Sequence, residues 1–190
     1  MDTQAARQIA EEVFDLYEKY GKADYIGEPV SQTEHMCQAA QLAEAEGFDD
    51  EIVLAAFFHD IGHLCEHIMP VDQMGGYGVV NHEKLGAGYL RSKGFSEKIA
   101  KLVASHVEAK RYLTFKYPEY YNKLSDASKQ TLHMQGGIMT EAEAKKFESD
   151  ELHPLYIKLR QWDDDAKVER LPLPALAKYK EKAVQHLLLQ

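Results

Sequence analysis

The stretch FFHDIGHLCEH, residues 57–67, constrains the fold more than any other part of the chain. It spaces His59, His63 and His67 four apart and sets Asp60 directly after His59. Side chains four apart share one face of a helix, which suits a metal site, whereas adjacent ones diverge by about 100°. His59 and Asp60 on one helix therefore do not converge easily on one ion, and any further ligands must come from other elements.

Those elements read as helices, with very little that reads as strand. Ile9, Val13, Phe14, Leu16, Tyr17 and Tyr20 recur at helical spacing over 5–20, and Gly21 ends the run. Ser31 with Glu34 has the form of a capping box opening a helix that stops near Gly47. Asp49 or Asp50 can cap the next helix, which carries the His-Asp pair and is expected to break near Gly62. After the glycine-rich MGGYG, Asn81 can cap a helix from 82 to about 93, and Ser96 another through His106 to about Leu113. Pro118, a short helical piece and Gly136-Gly137 follow; Thr140 with Glu143 repeats the capping box. Pro154 fits the first turn of a helix over 154–167, and Leu171-Pro-Leu-Pro leads to a last helix over 174–189. The expectation is an all-α helical bundle, residues 1–190 as one domain, with roughly eight to nine helices.

The net charge of −9 argues against a nucleic-acid partner. No apolar run is long enough to cross a bilayer. The start, MDTQAARQIAEE, lacks the regions of a secretory signal, and two cysteines make no disulfide framework. A cytoplasmic location with reduced thiols is expected.

The histidines and aspartates form the series His35, His59-Asp60, His82, His106 and Asp163. That series resembles the ligand set of the HD-domain superfamily, which implies a dinuclear metal site in the core of the bundle. In it Asp60 would bridge two ions through its two oxygens. One metal would take His35, His59, Asp60 and Asp163, and the other Asp60, His82 and His106, with positions left open for substrate. Asp164 is the fallback for Asp163. Imidazoles with few carboxylates suit iron or manganese better than magnesium. HDIGH also admits a zincin-type reading, but Asp stands where that motif has Glu, and Gly62 would weaken the helix presenting both histidines.

Further stretches carry a narrower likeness over roughly residues 25–168: YIGEPVSQTEHM, NHEKLGAGYL, SHVEAKRYL, LSDASKQTLHMQGGIM, TEAEAKKFES and KLRQWDDDAKV. They look like the HD-domain oxygenases of organophosphonate breakdown, which are mixed-valent Fe(II)/Fe(III) enzymes using two iron ions and O2. The resemblance implies C–P bond cleavage of (R)-2-amino-1-hydroxyethylphosphonate to glycine and phosphate, or of the N-trimethylated analogue to glycine betaine. It implies that Tyr25 occupies an iron position as phenolate until substrate displaces it from the three-ligand ion. Glu28 would receive the substrate ammonium, and His63 and Lys110 the phosphonate, with Ser128 as a further contact. Lys110 lies one helical turn past His106, so both can face one pocket. Arg111 reads as a surface charge and Trp162 as core. His67, His133 and His153 read as surface or structural, and His186 has no partner pattern. Two rival functions remain: a metal-dependent HD phosphohydrolase, which leaves Tyr25 and Glu28 without a purpose, and a catalytically dead binding module.

Overall fold

The computed structural model describes residues 1–25 and 27–190; Ile26, inside the stretch YIGEPVSQTEHM, lies outside them. The order of helices is α1 (Thr3–Tyr20), α2 (Gln32–Ala45), α3 (Asp50–Phe58), α4 (Ile61–Leu64), α5 (His82–Ser92), α6 (Glu97–Lys116), α7 (Pro118–Lys123), α8 (Asp126–Met134), α9 (Glu141–Glu148), α10 (His153–Asp165) and α11 (Leu176–Leu188). The architecture is all-α, and the described residues hold no strand beyond two isolated antiparallel bridges, Asp24 with Ser31 and Gln73 with Val79. Each bridge closes a loop, and both loops turn out to carry cavity residues. Among the described residues no helix is long and apolar enough to cross a membrane.

The centre of the bundle is α3, whose residues Ile52 to Phe58 are all buried. A helix apolar all round belongs in the interior rather than at a surface. Phe57 stacks on Phe14 of α1 and on Tyr179 of α11, at centroid distances of 5.3 and 4.8 Å. These rings tie the two terminal helices to the middle of the chain. The other side of α3 meets α2 and α6, and α10 packs across both of these. The polar end of α3 is thereby enclosed by α2, α5, α6 and α10.

Both capping boxes form: Ser31 with Glu34 opens α2, and Thr140 with Glu143 opens α9. Asp49, rather than Asp50, caps α3 by accepting the Ile52 N–H at 3.0 Å. Asn81 precedes α5 for a different reason than capping. Its side chain makes no cap bond; instead its backbone is left-handed, φ 54°, a conformation Asn tolerates better than most residues.

The helix expected to break near Gly62 breaks a few residues earlier. It ends at Phe58, Asp60 leaves helical geometry with φ −106° and ψ 12°, and α4 starts afresh at Ile61. Gly62 is not the breaking point. It is where α4 meets α5: a Cβ there would stand 1.9 Å from the His82 carbonyl oxygen. This split, and that of 118–134 into α7 and α8, account for the helices beyond the number expected from sequence. Gly62→Ala should force α4 from α5 and destabilise the fold by about 1–3 kcal/mol, the range for overpacking. Thermal unfolding of the metal-free protein measures this, and an unchanged midpoint would contradict the close approach.

Candidate metal centre

Five separate elements deliver the six predicted ligands. His35 comes from α2, His59 and Asp60 from the break after α3, His82 from the first residue of α5, His106 from α6, and Asp163 from the last turn of α10. All are buried. The four histidines share one arrangement, in which Nδ1 donates to a backbone carbonyl. His35 donates to Ala166 at 2.9 Å, His59 to Ala56 at 2.8 Å, His106 to Val103 at 2.9 Å and His82 to Val79 at 3.3 Å. The carbonyl fixes the tautomer, so a neutral ring presents the lone pair of Nε2 to the centre.

Those Nε2 atoms meet in pairs on either side of Asp60. His35 and His59 stand 3.0 Å apart, and Asp60 Oδ2 lies 3.6 and 3.4 Å from them. Asp163 Oδ1 completes that side, 3.3 Å from His35. His82 and His106 stand 2.9 Å apart, with Asp60 Oδ1 at 3.3 and 3.2 Å. Within the described residues Asp60 Oδ1 is buried without a hydrogen-bond donor. Facing lone pairs and an orphaned carboxylate oxygen repel one another unless a cation sits among them. The cluster fits two metal ions sharing Asp60, and its nitrogen-rich donor set fits iron or manganese better than magnesium.

Without metal, protons take up some of this charge. Burial opposes a charged His59, but the Asp60 and Asp163 carboxylates override it and hold the ring up at about 9. Burial would likewise raise Asp60, but the charge of His59 overrides it and keeps the carboxyl well below the carboxylate range. Asp163 is also held low, against its burial, by the Arg160 guanidinium. Arg160 Nη1 bonds Asp163 Oδ2 at 2.6 Å, which leaves Oδ1 for the histidines. Asp164 points the other way, to Arg160 and the Tyr120 hydroxyl, so Asp163 is the member of the DDD run that joins the cluster.

A cavity of about 280 Å³ opens onto Asp60, His82, His106 and Asp163. Tyr25, Glu28, His63, Lys110 and Ser128 all line it. His63 differs from the ligand histidines in its bonding. Its Nδ1 accepts the Val79 N–H at 3.2 Å, so the ring proton sits on Nε2. It can approach Asp60 and His82 as closely as a ligand would, and it stacks on His82 at 4.0 Å. With burial and the nearby His82 pushing it down to about 3, it is a neutral donor suited to an anion. Gly78 permits this placement: a Cβ there would lie 2.5 Å from the ring's Cε1. Lys110 donates to Thr131 Oγ1 at 2.8 Å, and burial, then Arg160, push its ammonium down to about 7.

Two of these residues already have partners. Tyr25 is a protonated donor here, its hydroxyl 2.9 Å from Asp60 Oδ2 and its ring stacked on His35. That puts it on the four-ligand side rather than the three-ligand side. Burial and the Asp60 and Asp163 charges hold its pKa well above the usual phenol value. Glu28 is not an open carboxylate, because its Oε1 already accepts from Lys167 at 2.8 Å and Ser125 at 2.6 Å. Arg111 is no loose surface charge either: it clamps the Gly137 carbonyl and Glu143. Trp162 is core, with Nε1 bonded to Glu46. His67 stacks on Tyr20 away from the cluster, and His186 accepts the Ser96 N–H at the start of α6.

Sequence reasoning passed over Arg160, Lys167, Ser125, Thr131 and Gln32. Arg160 carried a signal, since it lies three and four residues before Asp163 and Asp164 on one helix. Lys167 carried none, being 139 residues from its partner.

The HD-domain family model matches residues 33–156, and the chain belongs to that family. Asp163 and Tyr25 lie outside the matched segment. The chain is 46% identical over 175 residues to an uncharacterized protein of Acanthamoeba polyphaga mimivirus, covering 92% of this chain and 80% of that one. It is 38% identical over 174 residues to a hydroxymethylphosphonate dioxygenase of Gimesia maris, covering 88% and 82%. It is 36% identical over 171 residues to the [1-hydroxy-2-(trimethylamino)ethyl]phosphonate dioxygenase (glycine-betaine-forming) of Leisingera caerulea, covering 87% and 84%. Its resemblance to the HD-domain phosphonate oxygenases is thus carried along most of the chain.

Arg160→Met should take the guanidinium from the buried Asp163 carboxylate and leave Asp164 only the Tyr120 hydroxyl. A stability loss of about 3–5 kcal/mol is expected in the metal-free protein, the size seen when one partner of a buried ion pair is removed. Denaturant unfolding measures it, and a loss below about 1 kcal/mol would show that Arg160 does not hold Asp163.

Proposed function

We propose that residues 1–190 form one domain whose core holds two iron ions in the mixed-valent Fe(II)/Fe(III) state, and that the protein is an O2-dependent oxygenase cleaving the C–P bond of a 1-hydroxyphosphonate. His35, His59, Asp60 and Asp163 would hold one ion; Asp60, His82 and His106 would hold the other. The observation that carries this reading is the donorless Oδ1 of Asp60 between facing Nε2 atoms, at the floor of a cavity lined by an ammonium and a neutral imidazole donor. Bound there, the iron pair would supply O2 activation and Lewis acidity.

The chain's own groups bind and orient the substrate. Lys110 and the Nε2–H of His63 receive the phosphonate, and the Ser128 hydroxyl is a further donor at the same end. With metal bound, the side built from Asp60, His82 and His106 would leave room for the C1 hydroxyl and the phosphonate beside it, which would fix the reacting carbon. Entry of the substrate breaks the Tyr25 bond to Asp60 Oδ2. The substrate is (R)-2-amino-1-hydroxyethylphosphonate, which with O2 balances to glycine and phosphate without an external reductant. Glu28 lies at the cavity wall to meet the amine. The N-trimethylated analogue is the alternative. A trimethylammonium favours several aromatic faces, and besides histidines the described lining offers Tyr25 and Tyr77.

The test is phosphate release from (R)-2-amino-1-hydroxyethylphosphonate by iron-loaded protein with and without O2. Equimolar glycine and phosphate that require O2 support the reading; phosphate from phosphate esters under nitrogen would replace it with a hydrolase. His106→Ala should lose the substrate-side iron and turnover, and normal activity in that variant would overturn the ligand assignment.

Lys110 gives a pH signature. It is charged below about 7 and neutral above, so kcat/KM for the phosphonate should fall as pH rises through that value. Lys110→Met should remove this limb and raise KM by about ten- to a hundredfold, the size of one charge-assisted contact. An unchanged KM would count against its phosphonate role.

A further inference from the structure

The Glu28 carboxylate is 8% exposed and lines the cavity, yet its charge is already met by Lys167, which is not part of the lining. The segment bearing Lys167 is strapped to α2 on both sides. The Ala166 carbonyl accepts from His35 Nδ1, and Val168 is bonded twice to the side chain of Gln38, through its N–H and its carbonyl, each at 2.9 Å. The backbone of Lys167 is therefore fixed by one of the cluster histidines, and its ammonium reaches Glu28 from behind. The Lys167 side chain is 15% exposed.

We infer that Lys167 is a specificity-determining residue: it stands as an internal ammonium on Glu28 and weakens the preference for 1-hydroxyphosphonates that carry an amine over those that do not. The inference rests on the oxygenase reading above. An unaminated substrate such as hydroxymethylphosphonate leaves the Glu28–Lys167 pair intact, so no buried carboxylate goes unpaired. A substrate ammonium must share Glu28 with Lys167 or expel it, and two cations on one buried carboxylate repel each other. Ser125 Oγ, the cap of α8, bonds the same Glu28 oxygen and holds the carboxylate in place whichever cation is present.

The test compares (R)-2-amino-1-hydroxyethylphosphonate with hydroxymethylphosphonate, each titrated calorimetrically under nitrogen into iron-loaded wild-type protein, Lys167→Met and Lys167→Arg. In Lys167→Met, Glu28 keeps only the Ser125 hydroxyl, so the aminated compound should gain about ten- to a hundredfold in affinity relative to the unaminated one. Lys167→Arg, which keeps the charge, should retain the wild-type ratio and shows that the segment tolerates exchange. An equal ratio in all three proteins overturns the inference alone, because a merely structural Lys167 would move both affinities together. Failure of both compounds to bind overturns it together with the oxygenase reading. Binding without O2-dependent phosphate release removes the oxygenase reading and leaves the ratio to decide the role of Lys167.

Discussion

The structure turns on the two-sided environment of one carboxylate. Asp60 has Oδ2 facing His35 and His59 and Oδ1 facing His82 and His106, so a single buried charge is common to both halves of the cluster. This is available only because the chain leaves helical geometry at Asp60. Had α3 continued, adjacent side chains about 100° apart would have sent His59 and Asp60 in different directions. The break resolves what the His-Asp pair poses as a sequence, and Gly62 then lets the chain pack at once against α5, which presents His82.

The rest of the bundle can be understood as the enclosure that makes this cluster tolerable. Burying carboxylates and imidazoles together is unfavourable unless their partners are complete. Backbone carbonyls complete the outer nitrogens of the four histidines, and Arg160 completes the outer oxygen of Asp163. The inner atoms are the ones left incomplete, which suits the cluster to binding metal. Stability and function thus draw on the same residues. The aromatic packing of Phe14, Phe57 and Tyr179 lies on the far side of α3, where it can stabilise the bundle without touching the site.

Much of this was legible locally. Capping boxes at Ser31–Glu34 and Thr140–Glu143 are contained within four residues, so the sequence displays both partners of each bond. The series His35, His59-Asp60, His82, His106 and Asp163 stood out in the sequence, and the fold brings these side chains together. What escaped was decided by contacts distant in sequence. The break at His59-Asp60 opposes local helix propensity and depends on where α5 sits. The neutral donor role of His63 depends on the Val79 N–H, contributed by a loop that only Gly78 allows so near. The pairing of Glu28 with Lys167 spans most of the chain, and no periodicity announces it. Asn81 was placed correctly at a helix start but for the wrong physical reason, because sequence does not distinguish a capping side chain from a left-handed backbone.

In the proposed function Asp60 joins two iron ions into one electronic unit. Electron paramagnetic resonance of the partly oxidised, iron-loaded protein is the measurement that decides it. The expected result is the half-integer signal of one Fe(II) coupled to one Fe(III), present in the wild type and absent from Asp60→Ala. Isolated, uncoupled iron signals in the wild type, or a coupled signal that survives the loss of Asp60, would contradict it.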